Sequence, residues 1–212
     1  RGAIRPTAAL VLLIVLLSLS LAVVLSLDEA SRQLCLLLSI SALPAILLYP
    51  SAKRWFAYPQ AVLAFCWGFA VLIPWAAAER SLTLQPALIG CWLATLLWTF
   101  GFDTVYAMAD RRDDAVIGLN SSALSLGNRA VVTVRACYLL TIVALGLAAA
   151  SAGVHPLFWI FWLGAALLMQ ISCQSLNHKN ATMASFGLHF RRQVQLGSLL
   201  LLGLIVSRGL SG

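Results

Sequence analysis

Residues 87–114 read ALIGCWLATLLWTFGFDTVYAMADRRDD. The apolar first part spans about 30 Å as a helix, which is the thickness of a membrane's hydrocarbon core. The polar second part holds four of the chain's seven acidic residues. On a continuous helix, Asp103, Tyr106, Asp110 and Asp114 share one face, because they are three or four residues apart. Carboxylates so placed repel one another, so the stretch predicts a cation or a basic partner at the end of a membrane helix.

The remainder of the chain is also strongly apolar. Of its 212 residues 61% are hydrophobic and 10% are charged, and the mean hydropathy is +0.93. This composition is typical of a polytopic helical membrane protein and not of a soluble domain. We therefore expect an all-α fold, a transmembrane bundle of seven helices that forms a single domain over residues 1–212. The predicted spans are 8–27, 31–48, 61–78, 87–105, 130–150, 157–176 and 194–209.

The basic residues predict how the bundle is oriented. The formal net charge is +7, and cytoplasmic loops of membrane proteins carry an excess of lysine and arginine. With the N-terminus inside, eleven of the 14 basic residues fall on inner segments and three on outer ones. This predicts an N-in, C-out multi-pass protein whose longer inner connections carry the chemistry. Basic tracts with interleaved aromatics are absent from the sequence, so nucleic-acid binding is not expected.

The acidic stretch lies at the predicted inner end of the fourth span. Carboxylates without matching bases suit Mg²⁺, a hard cation that commonly uses one or two carboxylates together with substrate phosphates. Asp103 lies at the edge of membrane depth, where an ionisable residue is costly and indicates a function. The alternative is that Asp113 and Asp114 cap the next segment on a solvated loop, where Arg111 and Arg112 neutralise them.

Two other inner segments could contact an anionic ligand. In the segment YPSAKRWFAYPQ, which begins at Tyr49, two prolines bracket Lys53 and Arg54, and each of these could bind a phosphate oxygen. The alternative is that both residues only reflect the positive-inside bias. In the segment IGLNSSA, Ser121 and Ser122 either approach a ligand or cap the helix that follows.

The last inner loop, predicted between the sixth and seventh spans, is basic. Its histidines are spaced too widely for a clear metal site. The charge favours a solvated loop beside anionic lipid head groups. The residues concerned are His178, Lys179, His189, Arg191 and Arg192.

The acidic stretch and the basic loop resemble two motifs of the UbiA-type membrane prenyltransferases, most closely those of the 4-hydroxybenzoate polyprenyltransferase branch. The stretch from Asp103 to Gly118 is similar to that branch's second aspartate-rich motif, and YPSAKR followed by PQ is similar to its proline-bracketed basic loop. The resemblance extends over essentially the whole chain. One departure is Asn120, where the family commonly has a lysine ahead of two hydroxyl residues, so no cationic contact is implied there.

The resemblance also implies an architecture. The family has nine transmembrane helices, so the seven spans correspond to its last seven. The opening residues, RGAI, are similar to the segment that follows the family's first aspartate-rich motif. The resemblance therefore implies that two helices and that motif lie before Arg1, and that these 212 residues alone are inactive.

The activity implied is the Mg²⁺-dependent transfer of a polyprenyl group from polyprenyl diphosphate to the ring of 4-hydroxybenzoate, in ubiquinone or plastoquinone biosynthesis. The implied setting is the lipid bilayer of a bacterial inner or plasma membrane, with the active site on the cytoplasmic face. Alternatives are another branch of the superfamily (chlorophyll synthase, haem-O synthase or naphthoate prenyltransferase), a transporter, or a non-catalytic membrane protein.

Three sets of site residues follow from the resemblance. Asp110 and Asp114 would hold the Mg²⁺. Asp103 and Tyr106 would act beside them in catalysis or positioning. The diphosphate is assigned to basic and hydroxyl side chains, which are Lys53, Arg54, Ser121 and Ser122.

Overall fold

The computed structural model describes residues 4–176 and 182–210, and within these ranges the chain is helical with no strand. The predicted all-α fold is confirmed. The α-helices are α1 (Pro6–Leu25), α2 (Glu29–Ala52), α3 (Pro59–Glu79), α4 (Pro86–Ala109), α5 (Arg111–Ile117), α6 (Ser122–Leu126), α7 (Ala130–Ser151), α8 (Phe158–Ser172) and α9 (Met183–Leu210). Short 3₁₀ turns join α6 to α7 and extend α8 to Leu176.

Seven helical segments in the described ranges are long and apolar enough to cross a membrane, which is the predicted number. The chain is an integral, multi-pass membrane protein. Several helices extend beyond the predicted spans: α2 continues to Ala52, α4 continues to Ala109, and α9 begins at Met183 rather than near 194. Hydropathy locates the part of a helix that lies in hydrocarbon, whereas its hydrogen-bond ladder continues into the interface.

The bundle has two apolar cores. One lies between α2 and α3, and the larger one is formed mainly by α4, α7, α8 and α9. Small residues let α4 and α7 approach closely, because a Cβ atom added to Gly90 would lie 2.7 Å from the carbonyl oxygen of Ala144. Such contacts are common between membrane helices, which associate through close van der Waals packing. By contrast, α1 buries none of its residues.

The acidic stretch is not one continuous helix, so the prediction that Asp103, Tyr106, Asp110 and Asp114 share a single helical face is wrong. Helix α4 ends at Ala109, and Asp110 lies at the junction with φ −88° and ψ 1°. The first two residues therefore lie on α4 and the last lies on α5. Asp114 is the buried residue of α5, so the short helix turns this carboxylate toward the bundle.

The predicted solvated loop before the last span is also wrong, because most of it belongs to α9. His189 is fully buried in the bundle, where α7 and α8 provide hydrogen-bond partners for both ring nitrogens. Buried polar groups require such partners, and the imidazole has both of them. Of the other basic residues, Arg191 is exposed, Arg192 is half-buried, and His178 and Lys179 lie outside the described residues.

Candidate active site

Two connections of the bundle meet where α4 ends. The α2–α3 connection carries the basic loop, and the α5–α6 connection carries the small-residue loop. Because hydrogen bonds join the two, they form one polar layer across the helix ends. The bonds run from Asn120 N to Lys53 O (2.7 Å), from Ser125 Oγ to Ala57 O (2.7 Å) and from Ser122 N to Gln60 Oε1 (2.8 Å).

Lys53 and Asp114 form an ion pair within this polar layer, although they are 61 residues apart in sequence. The lysine Nζ lies 3.0 Å and 3.2 Å from the two carboxylate oxygens. Asp114 is 5% exposed and the Lys53 side chain is 34% exposed, so the pair is open to solvent on its basic side. A buried carboxylate needs such a partner, because an unpaired charge is costly to remove from water. The basic partner of this carboxylate is therefore Lys53, rather than Arg111 or Arg112.

Arg54 and Asp110 lie next to this pair, and their charged groups are accessible to a ligand. Arg54 is exposed and Asp110 is half-buried. Neither takes part in an ion pair among residues 4–176 and 182–210. An anionic ligand that carries a divalent cation could therefore engage both without first breaking an existing ion pair.

Ser121 and Ser122, which were predicted to contact diphosphate, are fully buried and use their hydroxyls internally. Ser121 Oγ accepts a hydrogen bond from Leu124 N (3.3 Å), so the alternative prediction that it caps a helix is confirmed. Ser122 Oγ lies 2.9 Å from Thr104 Oγ1. This geometry does not support direct contact with a ligand. Ser122 joins α6 to the end of α4 through Thr104, and Ser121 caps α6.

Gln60 and Thr104 are site residues that the sequence reasoning missed. Both are buried, and both hold Ser122, one through its backbone N–H and the other through its hydroxyl. A glutamine at the start of a membrane helix and a threonine beside Asp103 are signals that could have identified them. A polar group at membrane depth needs a hydrogen-bond partner. Gln60 and Thr104 both find this partner in Ser122.

A cavity of about 500 Å³ lies along the C-terminal half of α4, within its apolar span. Among the described residues that line it, Asp103 is the ionisable one. Thr104, the residue after Asp103, lies 2.9 Å through its hydroxyl from the Ser122 hydroxyl of the polar layer, so the cavity and the polar layer adjoin and form one site. The rest of the lining is mostly apolar and aromatic, and consists of Leu63, Trp67, Trp98, Thr99, Phe102, Gln193 and Val194.

Tyr106 lies one turn beyond Asp103 on α4 and is exposed. Its ring centroid is 5.8 Å from that of Phe190, which in turn is 5.0 Å from the ring centroid of Phe102 in the cavity lining. Aromatic rings thus continue from the cavity toward the polar layer. Ring faces of this kind attract nearby cations.

The candidate metal position offers oxygen donors. Asp110 and Asp114 are one helical turn apart, and Asp114 N donates to Asp110 O at 2.9 Å. Within the described residues, no group of three or more His, Cys, Asp and Glu side chains could hold a metal ion. The two carboxylates therefore do not form a closed structural site, but they fit Mg²⁺, which commonly combines one or two carboxylates with phosphate oxygens. The acids outside this stretch lie at the opposite end of the bundle, where Asp28 pairs with Arg80 at 3.3 Å.

The fold is shared with a solved membrane protein. The structure of a digeranylgeranylglyceryl phosphate synthase matches with a TM-score of 0.68, over 97% of this chain and 71% of that one. The two sequences are 17% identical, so this likeness concerns the fold alone.

Relatives of higher identity connect the chain to one family. A 4-hydroxybenzoate solanesyltransferase of Synechocystis sp. is 41% identical over 169 residues, which are 80% of this chain and 57% of the relative. A 4-hydroxybenzoate octaprenyltransferase of Janthinobacterium sp. is 32% identical over 177 residues, which are 84% of this chain and 58% of the relative. The chain thus spans less than two thirds of the length of either. A sequence model of the UbiA prenyltransferase family matches residues 1–192, and the chain belongs to this family.

Proposed function

We propose that this protein transfers a polyprenyl group from polyprenyl diphosphate to the ring of 4-hydroxybenzoate within the lipid bilayer. The observation that carries the proposal is the junction between the polar layer around Lys53 and Asp114 and an aromatic cavity at membrane depth. The names of the relatives favour 4-hydroxybenzoate over the acceptors of other branches. The product would enter ubiquinone or plastoquinone biosynthesis.

The polar layer would receive the diphosphate. Arg54 is exposed and presents a planar guanidinium that suits phosphate oxygens. Lys53 is open to solvent on one side, so its ammonium group can turn from Asp114 to a phosphate oxygen. The Asp114 carboxylate would then lose its cation and become free to bind metal. The ion pair would hold both side chains in place before the substrate binds.

Mg²⁺ is the cofactor that these donors fit, with Asp110 and Asp114 as its ligands. When bound, it would neutralise charge on the departing diphosphate. Asp110 would provide the first carboxylate, because it is half-buried at the α4–α5 junction and has no ion-pair partner among the described residues. Asp114 would provide the second one turn later.

The cavity would hold the reacting ends of both substrates. The allylic C–O bond breaks with its electron pair leaving on the diphosphate, where Lys53 and Arg54 stabilise the developing charge. The rings of Phe102 and Tyr106, together with the Asp103 carboxylate, stabilise the allylic cation. The ring carbon ortho to the phenolic hydroxyl then attacks the allylic cation and forms the new C–C bond, and its proton passes to water or to the released diphosphate.

We also propose an orientation of the protein in the membrane and a domain assignment. Lys53, Arg111, Arg112 and Arg129 lie at the same end of the bundle as the polar layer, which supports a cytoplasmic site in a bacterial inner or plasma membrane with the N-terminus inside. We further propose that residues 1–212 belong to one prenyltransferase domain. In that domain the opposite acidic wall would come from the family's first aspartate-rich motif, because the four acids near the site all come from the stretch between Asp103 and Asp114.

An assay of the full-length gene product in membranes tests the proposed function. Labelled polyprenyl diphosphate is supplied with 4-hydroxybenzoate and Mg²⁺, and ring-prenylated product is extracted and measured. We expect product that falls at least about tenfold when EDTA removes the divalent cation and that returns with added Mg²⁺. If a naphthoate or another aromatic acceptor reacted faster, that compound would be assigned as the acceptor instead of 4-hydroxybenzoate. Absence of product with every acceptor would contradict the enzyme assignment.

Ser122→Ala distinguishes the two roles considered for this hydroxyl. Because Ser122 Oγ is buried against Thr104, we expect a loss of stability of about 1 kcal/mol and a nearly unchanged KM for polyprenyl diphosphate. Thermal unfolding in detergent and steady-state kinetics measure the two quantities. Ser198→Ala is the matched control, since its exposed hydroxyl bonds to Val194 O of its own helix. A raised diphosphate KM with unchanged stability would instead assign Ser122 to substrate binding.

A further inference from the structure

A directional series of hydrogen bonds leads from the cavity into the bundle. Trp98 Nε1 donates to Gln193 Oε1 at 2.9 Å, and Gln193 Nε2 donates to Ser172 Oγ at 3.1 Å. Ser172 Oγ in turn donates to Met169 O at 2.7 Å. Each direction is required, because an indole nitrogen only donates and a carbonyl oxygen only accepts. The orientation of the Gln193 amide is therefore determined on both of its sides.

His189 and Tyr138 continue the hydrogen-bond network from Ser172 into the bundle. His189 Nδ1 lies 3.3 Å from Ser172 O, and His189 Nε2 lies 2.9 Å from the Tyr138 hydroxyl. Since the carbonyl can only accept, Nδ1 carries the proton and Nε2 of the neutral ring accepts from tyrosine. Both side chains are fully buried, so α7 and α9 are held to the end of α8.

Two glycines leave room for the rings of Trp98 and Tyr138. His189, Gln193 and Gly197 are four residues apart on α9 and share one face. A Cβ atom added to Gly197 would lie 3.7 Å from Trp98 Cη2, so the indole lies over this glycine. A Cβ atom added to Gly101 on α4 would lie 2.7 Å from Tyr138 Cε1. The Trp98 ring is thus held at its N–H edge by an amide and at its far edge by packing.

We propose that Gln193 and Ser172 are positioning residues that hold Trp98 as a fixed aromatic wall, against which the ring of the acceptor packs. Gln193 is 2% exposed and bonds Trp98 and Ser172, whereas Trp98 is half-buried, so the indole presents the accessible surface of this wall. Recognition at this wall therefore comes from the indole, and it suits a flat aromatic acceptor. The diphosphate binds elsewhere, at Lys53 and Arg54. This inference rests on the proposed function and names the part of the site that selects the acceptor.

Gln193→Met tests the inference in the full-length gene product in membranes, because methionine keeps the length of the side chain and removes both hydrogen bonds. We expect the KM for 4-hydroxybenzoate to rise about three- to tenfold, the size of an aromatic contact, while the KM for polyprenyl diphosphate stays within about twofold. In a Trp98→Phe background the same change should add no further effect, since phenylalanine has no N–H to hold. Gln195→Met is the control, because Gln195 is exposed two residues further along α9.

The possible outcomes separate this inference from the proposed function. An equal rise in both KM values, or effects that multiply in the double variant, would overturn the inference while wild-type activity upholds the function. A wild-type protein that prenylates no aromatic acceptor would overturn both. If Gln193→Met does not accumulate, Tyr138→Phe replaces it, because it removes only the hydroxyl that holds His189. We then expect a smaller rise in the acceptor KM alone, and an unchanged acceptor KM would contradict the inference.

Discussion

Asp110→Asn is expected to lower prenyl transfer by the full-length gene product at least about 100-fold, which is the usual cost of losing one charge-stabilising contact. Asp110 is half-buried at the junction of α4 and α5 and has no ion pair among the described residues. Its carboxylate is therefore free to bind a metal ion, and asparagine removes the charge at nearly constant shape. The measurements are the turnover at saturating substrates and the Mg²⁺ concentration that gives half-maximal activity, which should rise.

Asp113→Asn provides the matched control for this prediction. Asp113 lies three residues further along the chain, is exposed, and has no assigned role in the site. We expect it to retain most of the wild-type activity. Both variants should accumulate in the membrane to wild-type levels, because neither carboxylate supports packing. Retention of more than about a tenth of wild-type turnover by Asp110→Asn would be incompatible with a metal ligand at this position.

The membrane fold could be predicted because its signals are local. Apolar runs of about 20 residues and the distribution of lysine and arginine are read directly from the chain. The helix junction at Asp110 could not be predicted in this way. The stretch from Asp103 to Asp114 satisfies the spacing of one continuous helix, but in the folded chain Asp114 lies on α5 and pairs with a residue of the α2–α3 connection.

That partner, Lys53, is 61 residues from Asp114, and no local pattern specifies the pair. Sequence reasoning placed both residues on the same membrane face, which made a contact possible without selecting it over Arg111 or Arg112. The same limit applies to Ser122. The sequence alone does not tell whether its hydroxyl faces a ligand or another helix, and its contact with Thr104 is visible only in the folded chain.

The sequence did contain a signal for the buried part of α9. His189, Gln193 and Gly197 recur every four residues, which is the spacing of one helical face. The neighbouring Arg191 and Arg192 hid this pattern, because an adjacent pair of arginines is typical of a loop. Their long side chains instead extend from a helix whose opposite face is buried, as basic residues near helix ends commonly do.

Lys53→Met is expected to impair both the stability and the activity of the protein. It leaves the Asp114 carboxylate buried without a cation, which we expect to cost about 1–3 kcal/mol, the penalty of an unpaired buried group. It also removes a positive charge from the proposed diphosphate position, so transfer should fall at least about 100-fold. Thermal unfolding in detergent and steady-state kinetics report the two effects separately.

The double variant Lys53→Met/Asp114→Asn distinguishes the structural role of this pair from its chemical role. With no buried charge left unpaired, most of the lost stability should return, since replacing both members of a buried pair is far less costly than removing one. Activity should not return, because the cation and the proposed metal ligand are both gone. Arg129→Met, an exposed arginine at the same end of the bundle, should change neither quantity. If the double variant regained activity together with stability, the pair would only join the two loops, and the diphosphate would have to be held by other residues.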